Sequence, residues 1–230
     1  KIGEIPASLS RTFLDKIKTC TVSRVPSGKF FISILVDDGK ELPEKSPITK
    51  ETSVGIDLGI KDFAVLSDGT KIENPKFLRK TLKKLRVAQR RLSKKKKGSK
   101  NREKEKIKVA RIYEKITNQR MDFLHKLSSQ IINSDNQTII LEDLNIAGML
   151  KNHSLALSIA DCSWSKLIEL LTYKAEWAGK NLIKIGRFDP SSKMCSCCGE
   201  MNRKLKLSDR NWFCSSCGEK HDRDINAAKN

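Results

Sequence analysis

The 230-residue chain lacks any apolar run near the roughly 18 residues that a membrane-spanning helix requires, and its longest helix-like stretches are rich in lysine, so no membrane partner is expected. It also lacks a secretory signal, the charged start and apolar stretch that would send it to an oxidising compartment. Four of its seven cysteines fall at metal-ligand spacing instead of forming a disulfide framework, which points to a reducing cytoplasmic interior. There is no internal repeat, and the one low-complexity tract is Lys94 to Lys97. Acid is scarce where base is dense: from Lys76 to Arg120 there are 20 lysines and arginines against three acids, Glu103, Glu105 and Glu114. That segment holds nearly all of the net charge of +19. So concentrated a field implies a polyanionic partner, because neutralising phosphates releases their counterions. Contact there should be mostly to phosphate, weakly sequence-specific and steeply salt-dependent. The chain starts at Lys1 instead of Met and stops just after an acidic motif, so a fragment of a longer protein is expected.

The periodicity predicts a mixed α/β protein. Residues 18 to 36 read as a β-hairpin turning through Pro26-Ser27-Gly28, and Glu41 to Thr52, with Pro43 and Pro47, as a linker. Val54 to Gly59, Phe63 to Leu66 and Thr70 to Ile72 read as three adjacent antiparallel strands, the last two joined at Asp68-Gly69. Pro75 to about Lys97 and Arg102 to Ile132 show helical spacing (Leu78, Leu82, Leu85; Ile112, Ile116, Phe123, Leu127, Ile131) and are broken by Gly98-Ser99 into a helical hairpin. Thr138 to Leu141 is a short strand ending on Glu142, Ser165 to Lys180 an amphipathic helix, and Leu182 to Ile185 a last strand. Leu144 to Met149 reads as a loop, with the segment on to Asp161 as a lid, and Trp164 and Trp177 as core or helix-packing residues.

Two features carry chemistry. Cys195 and Cys198, then Cys214 and Cys217 after fifteen residues, can each give a thiolate to one tetrahedral Zn²⁺ that folds a short loop and does no chemistry itself. Cys197 is an extra thiol, too close to Cys198 to share the ion well, and His221 reads as a structural hydrogen-bonding group. The second feature is a set of three acids remote in sequence. Asp57 lies in an apolar strand, where a lone carboxylate is costly to bury; Glu142 poses the same problem, and Asp224 opens a final helix beyond the cysteines. If the two strands pair and the helix packs across their ends, three carboxylates meet. Two divalent ions bridged by such acids can activate water and stabilise the leaving oxygen of a phosphodiester, and hard oxygen ligands suit Mg²⁺ or Mn²⁺. Each acid alone has a plainer role: Asp57 as a turn-former, Glu142 paired with a lysine, Asp224 as a helix N-cap. Trp212 and Phe213 read as packing for a small zinc domain, with base stacking the alternative.

Gly-Ile-Asp-Leu-Gly at 55 to 59, Leu-Glu-Asp-Leu-Asn at 141 to 145, Pro-Ser-Ser-Lys-x-Cys-x-x-Cys-Gly at 190 to 199, and Cys-x-x-Cys-Gly followed by His-Asp-Arg-Asp-x-Asn-Ala-Ala closely resemble the OrfB/TnpB proteins of insertion sequences. That family is similar to the nuclease part of type V CRISPR effectors. The resemblance spans residues 53 to 230 and implies a ribonuclease H-like (RuvC) fold with an inserted basic helical hairpin and an embedded zinc ribbon. It implies an RNA-guided DNA endonuclease with catalytic Asp57, Glu142 and Asp224 on Mg²⁺ or Mn²⁺, Asp222 being second choice to Asp224, and Zn²⁺ on Cys195, Cys198, Cys214 and Cys217. The expected domains are 1–50, the tail of a β-rich barrel domain with its linker; 51–190, the nuclease core with its basic hairpin at 75–133; 191–221, the zinc ribbon; and 222–230, the last nuclease motif. Guide RNA from the transposon end and target DNA are the implied partners of a monomeric ribonucleoprotein at the nucleoid. Lys83, Arg86, Arg90, Arg91, Lys94, Lys95, Arg102, Arg120 and Arg223 are assigned to nucleic-acid contact. His125 and His153 have no role. Three other readings compete: a non-cleaving guided repressor, a direct DNA transposase, and the sugar-kinase and actin group, for which no second Gly-rich phosphate loop follows.

Overall fold

The computed structural model describes residues 3–13, 16–186, 191–206 and 208–230. Pro190, which opens the Pro-Ser-Ser-Lys motif, lies outside the described residues. The chain divides into two compact units, one of Lys1–Glu41 with Thr81–Asn118 and one of Leu42–Lys80 with Gln119–Asn230.

In the first unit β1 (Lys16–Arg24) and β2 (Phe30–Asp37) form an antiparallel pair with Cys20 opposite Ile34, so the hairpin extends a residue or two past its expected bounds. No further strand joins this sheet among the described residues. The helices α1 (Phe77–Ser93) and α2 (Lys100–Ile132) contribute their facing ends to this unit. Gly98, at φ 79°, takes the left-handed turn between them, a conformation that costs glycine little. Arg102 then reaches back, its Nη1 donating to the carbonyls of Leu92 (3.0 Å) and Lys95 (2.9 Å), and so satisfies acceptors that the end of α1 leaves open. Lys29 in the hairpin turn pairs with Glu114 of α2 at 2.9 Å.

The second unit is built on a five-stranded sheet. Its strands β3 (Ser53–Leu58), β4 (Asp62–Leu66), β5 (Lys71–Glu73), β6 (Thr138–Glu142) and β7 (Asn181–Ile185) lie in the order β5-β4-β3-β6-β7. β3, β4 and β5 pair antiparallel, as expected from their hairpin turn, while β3–β6 and β6–β7 are parallel. Side chains alternate across a strand, and the sequence uses that alternation. Val54, Ile56, Ile139 and Leu141 join one core with Leu124, Leu127 and Ile131 of α2 and with Trp164, Leu167 and Leu171 of α5 (Trp164–Trp177). Truncating one such buried leucine to alanine costs about 2–5 kcal/mol.

The opposite face, which carries Gly55 and Asp57, receives the C-terminal helix. A Cβ on Gly55 would stand 1.8 Å from the Ala228 carbonyl oxygen, so α6 (Arg223–Lys229) approaches β3 backbone to backbone and only glycine fits. The segment read as a loop and lid contains α3 (Ile146–Met149) and α4 (Ala156–Cys162), and Ile159, Asp161 and Cys162 are buried. The far end of the supposed lid is therefore anchored in the core. Trp177 also departs from expectation: it is 67% exposed and meets Tyr173 edge-on at 4.8 Å, because α5 ends there, short of the expected Lys180. Trp164 is buried as expected. The strands β8 (Asn211–Phe213) and β9 (Lys220–Asp222) form a small separate antiparallel pair before α6.

Candidate active site

The parallel register of β3 and β6 sets Ile56 opposite Leu141, so Asp57 and Glu142 follow one residue later on neighbouring strands. Asp57 shares its face with Gly55, against which α6 rests, and Asp224 is the second residue of α6. The three acids lie near enough for Glu142 and Asp224 to act on Asp57 by charge, although their oxygens do not all come within 4.8 Å of one another. Burial first, then the negative charges of Glu142 and Asp224, push the Asp57 carboxyl up to about 7, against the opposing pull of Arg223 and Arg210. A cluster of carboxylates that holds one of its members near neutrality calls for a compensating cation.

Two cations already stand at the rim. Arg210 Nη1 donates to both Asp224 oxygens, at 3.1 and 3.3 Å, and Arg223 Nε lies 3.5 Å from Asp224. Ser191 Oγ donates to Glu142 Oε1 in a short hydrogen bond that orients that carboxylate. Asp222 does a different task. Its Oδ1 accepts from the backbone N–H groups of Asp224 (3.0 Å) and Ile225 (3.2 Å), capping α6, and its Oδ2 pairs with Lys71 at 2.6 Å. Burial raises the Asp222 pKa, but the Lys71 bond and the cap outweigh it and hold the group below the usual carboxylate range. With both its oxygens engaged, Asp222 presents Asp224 toward the other acids. Carboxylate oxygens are the donor type that hard divalent cations take; here the charge of Asp224 is met by Arg210.

The four cysteines come together as their spacing predicts. All four sulfurs lie within 4.8 Å of one another, with Cys195–Cys217 at 3.7 Å and Cys198–Cys214 at 3.5 Å. Metal–sulfur bonds of about 2.3 Å in a tetrahedron require sulfurs about 3.8 Å apart, so the set fits one ion. The two knuckles repeat each other: Gly199 N–H donates to the Cys195 carbonyl (2.8 Å) and Gly218 N–H to that of Cys214 (2.9 Å). Cys197 is exposed and outside the group. His221 is buried, its Nε2 3.0 Å from Cys195 Sγ and its ring 4.6 Å from Trp212. Trp212 packs with Cys195, Leu205 and Cys214, whereas Phe213 is exposed.

Asn226 joins the knuckles to α6. It is 1% exposed; its Oδ1 accepts from Ser196 N–H at 2.9 Å and its Nδ2 donates to the Met194 carbonyl at 2.7 Å. Asn230 Nδ2 makes a second bond to Met194, also at 2.7 Å.

Among the basic candidates, Lys83, Arg86, Arg90, Arg91, Lys94 and Lys95 are exposed. Arg102 is occupied in closing the end of α1, and Arg223 lies beside Asp224. Arg120 turns inward: its Nη2 pairs with the buried Asp161 at 3.1 Å. Asp161 also accepts from the first-turn amides of α1, Leu78 (3.0 Å) and Arg79 (3.2 Å). Sequence reasoning gave no role to Ser191, Arg210, Asn226 or Lys71. Their partners lie 49, 14, 30 to 35 and 151 positions away, and no local pattern announces them.

Comparison with known proteins gives the family. The family OrfB_IS605, described as a probable transposase, matches residues 33–153, and the Cas12f1-like TNB domain matches 164–230. A Streptomyces pristinaespiralis protein named "Putative RNA-guided DNA endonuclease" is 47% identical over 92% of this chain and 51% of its own length. The similarly named InsQ of Escherichia coli K12 is 32% identical over 100% of this chain and 60% of its own. The CRISPR-associated endodeoxyribonuclease Cas12f1 of Sulfoacidibacillus thermotolerans is 26% identical over 91% of this chain and 55% of its own. A solved Cas12f1–sgRNA–target DNA complex superposes with a TM-score of 0.57 at 18% identity, covering 90% of this chain and 54% of that one, which shows a shared mixed α/β fold. The chain thus spans about half to three-fifths of the length of these relatives. With its model matched over residues 33–153, more than half of the sequence, the chain belongs to the OrfB_IS605 family.

Proposed function

We propose that this chain carries the nuclease centre of an RNA-guided DNA endonuclease of an insertion sequence. In this reading residues 51–190 and 222–230 form a RuvC-like core of the ribonuclease H type, 75–133 a basic helical hairpin inserted in it, 191–221 a zinc ribbon, and 1–50 the remnant of a β-barrel domain. The observation that carries the proposal is the placing of half-buried Asp57 and Glu142 on neighbouring parallel strands beside the helix of Asp224, close enough that burial and the charges of Glu142 and Asp224 push the Asp57 carboxyl to about 7. Asp57, Glu142 and Asp224 would hold two Mg²⁺ or Mn²⁺, which when bound supply Lewis-acid stabilisation of the attacking and leaving oxygens of a phosphodiester.

The remaining work belongs to the chain's own side chains. Ser191 orients Glu142, Asp222 fixes the first turn of α6, and Gly55 lets that helix come close enough to deliver Asp224. Arg210 and Arg223 hold the Asp224 carboxylate and lower the local negative potential that would repel an incoming phosphate. Zn²⁺ on Cys195, Cys198, Cys214 and Cys217 would keep the ribbon folded, and Asn226 passes that order to α6. His221, donating to the Cys195 sulfur, would fix that ligand from outside the metal. Guide RNA or the guide–target heteroduplex would lie on the exposed cations of α1, in a monomeric ribonucleoprotein working at the nucleoid in the cytoplasm. The test is cleavage of a matching plasmid by the full-length protein loaded with its guide RNA in Mg²⁺. Cleavage abolished by Asp57→Ala, with target binding kept, is the expected result. Absence of cleavage by the unaltered protein would leave a guided repressor, and joined DNA ends would point to a transposase.

A further inference from the structure

Beside Asp224, across Arg210, lies a cavity of 380 Å³, lined by Lys61, Lys76, Arg79 and Arg210 over the apolar Ile60, Leu155 and Leu157. Its charge is one-sided. Asp161 is the one carboxylate in the lining, and its oxygens are taken by Arg120 and by the amides of Leu78 and Arg79. Among the described residues, Lys61, Lys76 and Arg79 have no carboxylate partner, so three cations face the cavity uncompensated.

Lys76 is also strained. It sits at φ 52°, a left-handed conformation that side chains other than those of glycine and asparagine seldom adopt. It is held there by its N–H to Asn74 Oδ1 (3.1 Å) and by its carbonyl, which accepts from Lys80 (3.0 Å), while Asn74 is tied to the Ile60 carbonyl at 2.8 Å. A lysine kept where glycine would sit without strain points to a use for its charge. The cavity also adjoins the acids, because Arg210 forms part of its wall and bonds Asp224. Leu155 and Leu157, each 42% exposed, offer apolar ground on which a base can rest.

We propose that this cleft seats the strand being cut: Lys61, Lys76 and Arg79 hold a backbone phosphate next to the scissile bond, and a neighbouring base lies on Leu155 and Leu157. The occupant is a single DNA strand. A duplex stacks its bases inward and leaves none for the leucines, and a guide strand seated here would lead toward the acids without being their substrate. The proposal rests on the nuclease reading, and the experiment separates the two.

The guide-loaded full-length protein is mixed with a target whose cut strand carries 4-thiothymidine near the cleavage position. After irradiation the attached peptide is located by mass spectrometry, and cleavage is followed at saturating target in Mg²⁺. The cleft variant is Lys61→Gln, Lys76→Gly, Arg79→Gln; the control, Lys45→Gln, Lys50→Gln, Lys151→Gln, removes equal charge from exposed positions outside the basic helices. The expected result is a cross-link between Leu155 and Asp161 that falls about tenfold in the cleft variant, with a similar fall in the saturated cleavage rate, as loss of a charge-assisted phosphate contact implies. The control should leave both the cross-link and the saturated rate within about twofold. Lys76→Gly alone should match or exceed the parent in Tm while cutting more slowly; a lower Tm with an unchanged rate would assign Lys76 to the fold and overturn its role. A cross-link lost in the cleft variant, from a parent protein that does not cut, would uphold the strand seat and remove the nuclease reading. A parent that cuts and a cleft variant that cuts equally fast would overturn the seat, as would cross-linking to this segment from 4-thiouridine in the guide RNA.

Discussion

Replacing Asp57 by asparagine should make the metal-free protein more stable at pH 8, although it removes the central acid of the proposed site. The Asp57 carboxyl titrates near 7 in the folded chain, against 3.8 as its ordinary value. The folded state therefore holds its proton where the unfolded state has lost it. With the folded pKa raised, the associated stability is fully present below about pH 4, falls as pH rises toward 7, and is absent above that. Three units correspond to about 4 kcal/mol at most. Water penetration and relaxation around a charge at this partly accessible site reduce that to about 2 kcal/mol. For a chain of this size that is a Tm difference of roughly 4 to 8 °C. The assay is differential scanning fluorimetry of both proteins, zinc-loaded but free of other divalent ions, from pH 4 to 9. The variant's advantage should be near zero at pH 4, grow to pH 7 and then level off; Mg²⁺ at pH 8 should narrow it by stabilising the parent. An advantage independent of pH, or an asparagine variant less stable at pH 8, would refute the claim that burial and the neighbouring carboxylates together hold the proton on Asp57.

Gly55→Ala should destabilise the chain by about 1–3 kcal/mol or more in a urea melt and abolish cleavage, since the clashing atom is backbone and α6 must move away with Asp224. Asp161→Ala should cost about 3–5 kcal/mol by chemical denaturation, because it strands Arg120 and uncaps the first turn of α1. A zinc chelator should unfold the C-terminal ribbon, followed through the emission of buried Trp212, and metal analysis should find one zinc retained in Cys197→Ser and lost in Cys198→Ser.

Local signals carried much of the fold because their causes are local. Alternation in β3, the short apolar run of β6, the 3.6-residue spacing in α2 and the turn residues at Gly28 and Gly98 act within a few positions, and these elements lie close to where local pattern puts them. Element ends were less legible. The exposure of Trp177 follows from α5 stopping there, and the burial of Asp161 comes from duties to α1 and α2, whose residues are 41 to 83 positions away. Charge was legible as a total and only partly as a site. Lys83 through Lys95 lie exposed, but Arg120, identical in type, is spent on Asp161 inside the unit.

By itself the sequence determined the cysteine tetrad, whose two-residue gaps bring each pair of sulfurs to one side of a turn, and the family to which its ordered motifs belong. It also marked Asp57, Glu142 and Asp224 as acids in apolar or capping settings. Only the tertiary structure decided that they come within range of one another's charge, because this depends on the parallel register of β3 with β6 and on a glycine that lets α6 approach the sheet. Tertiary structure alone also decided that Asp222 caps while Asp224 bears on Asp57, that Arg210 and Ser191 bond the acids, and that three cations without a carboxylate partner among the described residues gather beside them. Such groupings are made by packing between distant segments, and hydrogen bonds and charges act through space, which no spacing along the chain records.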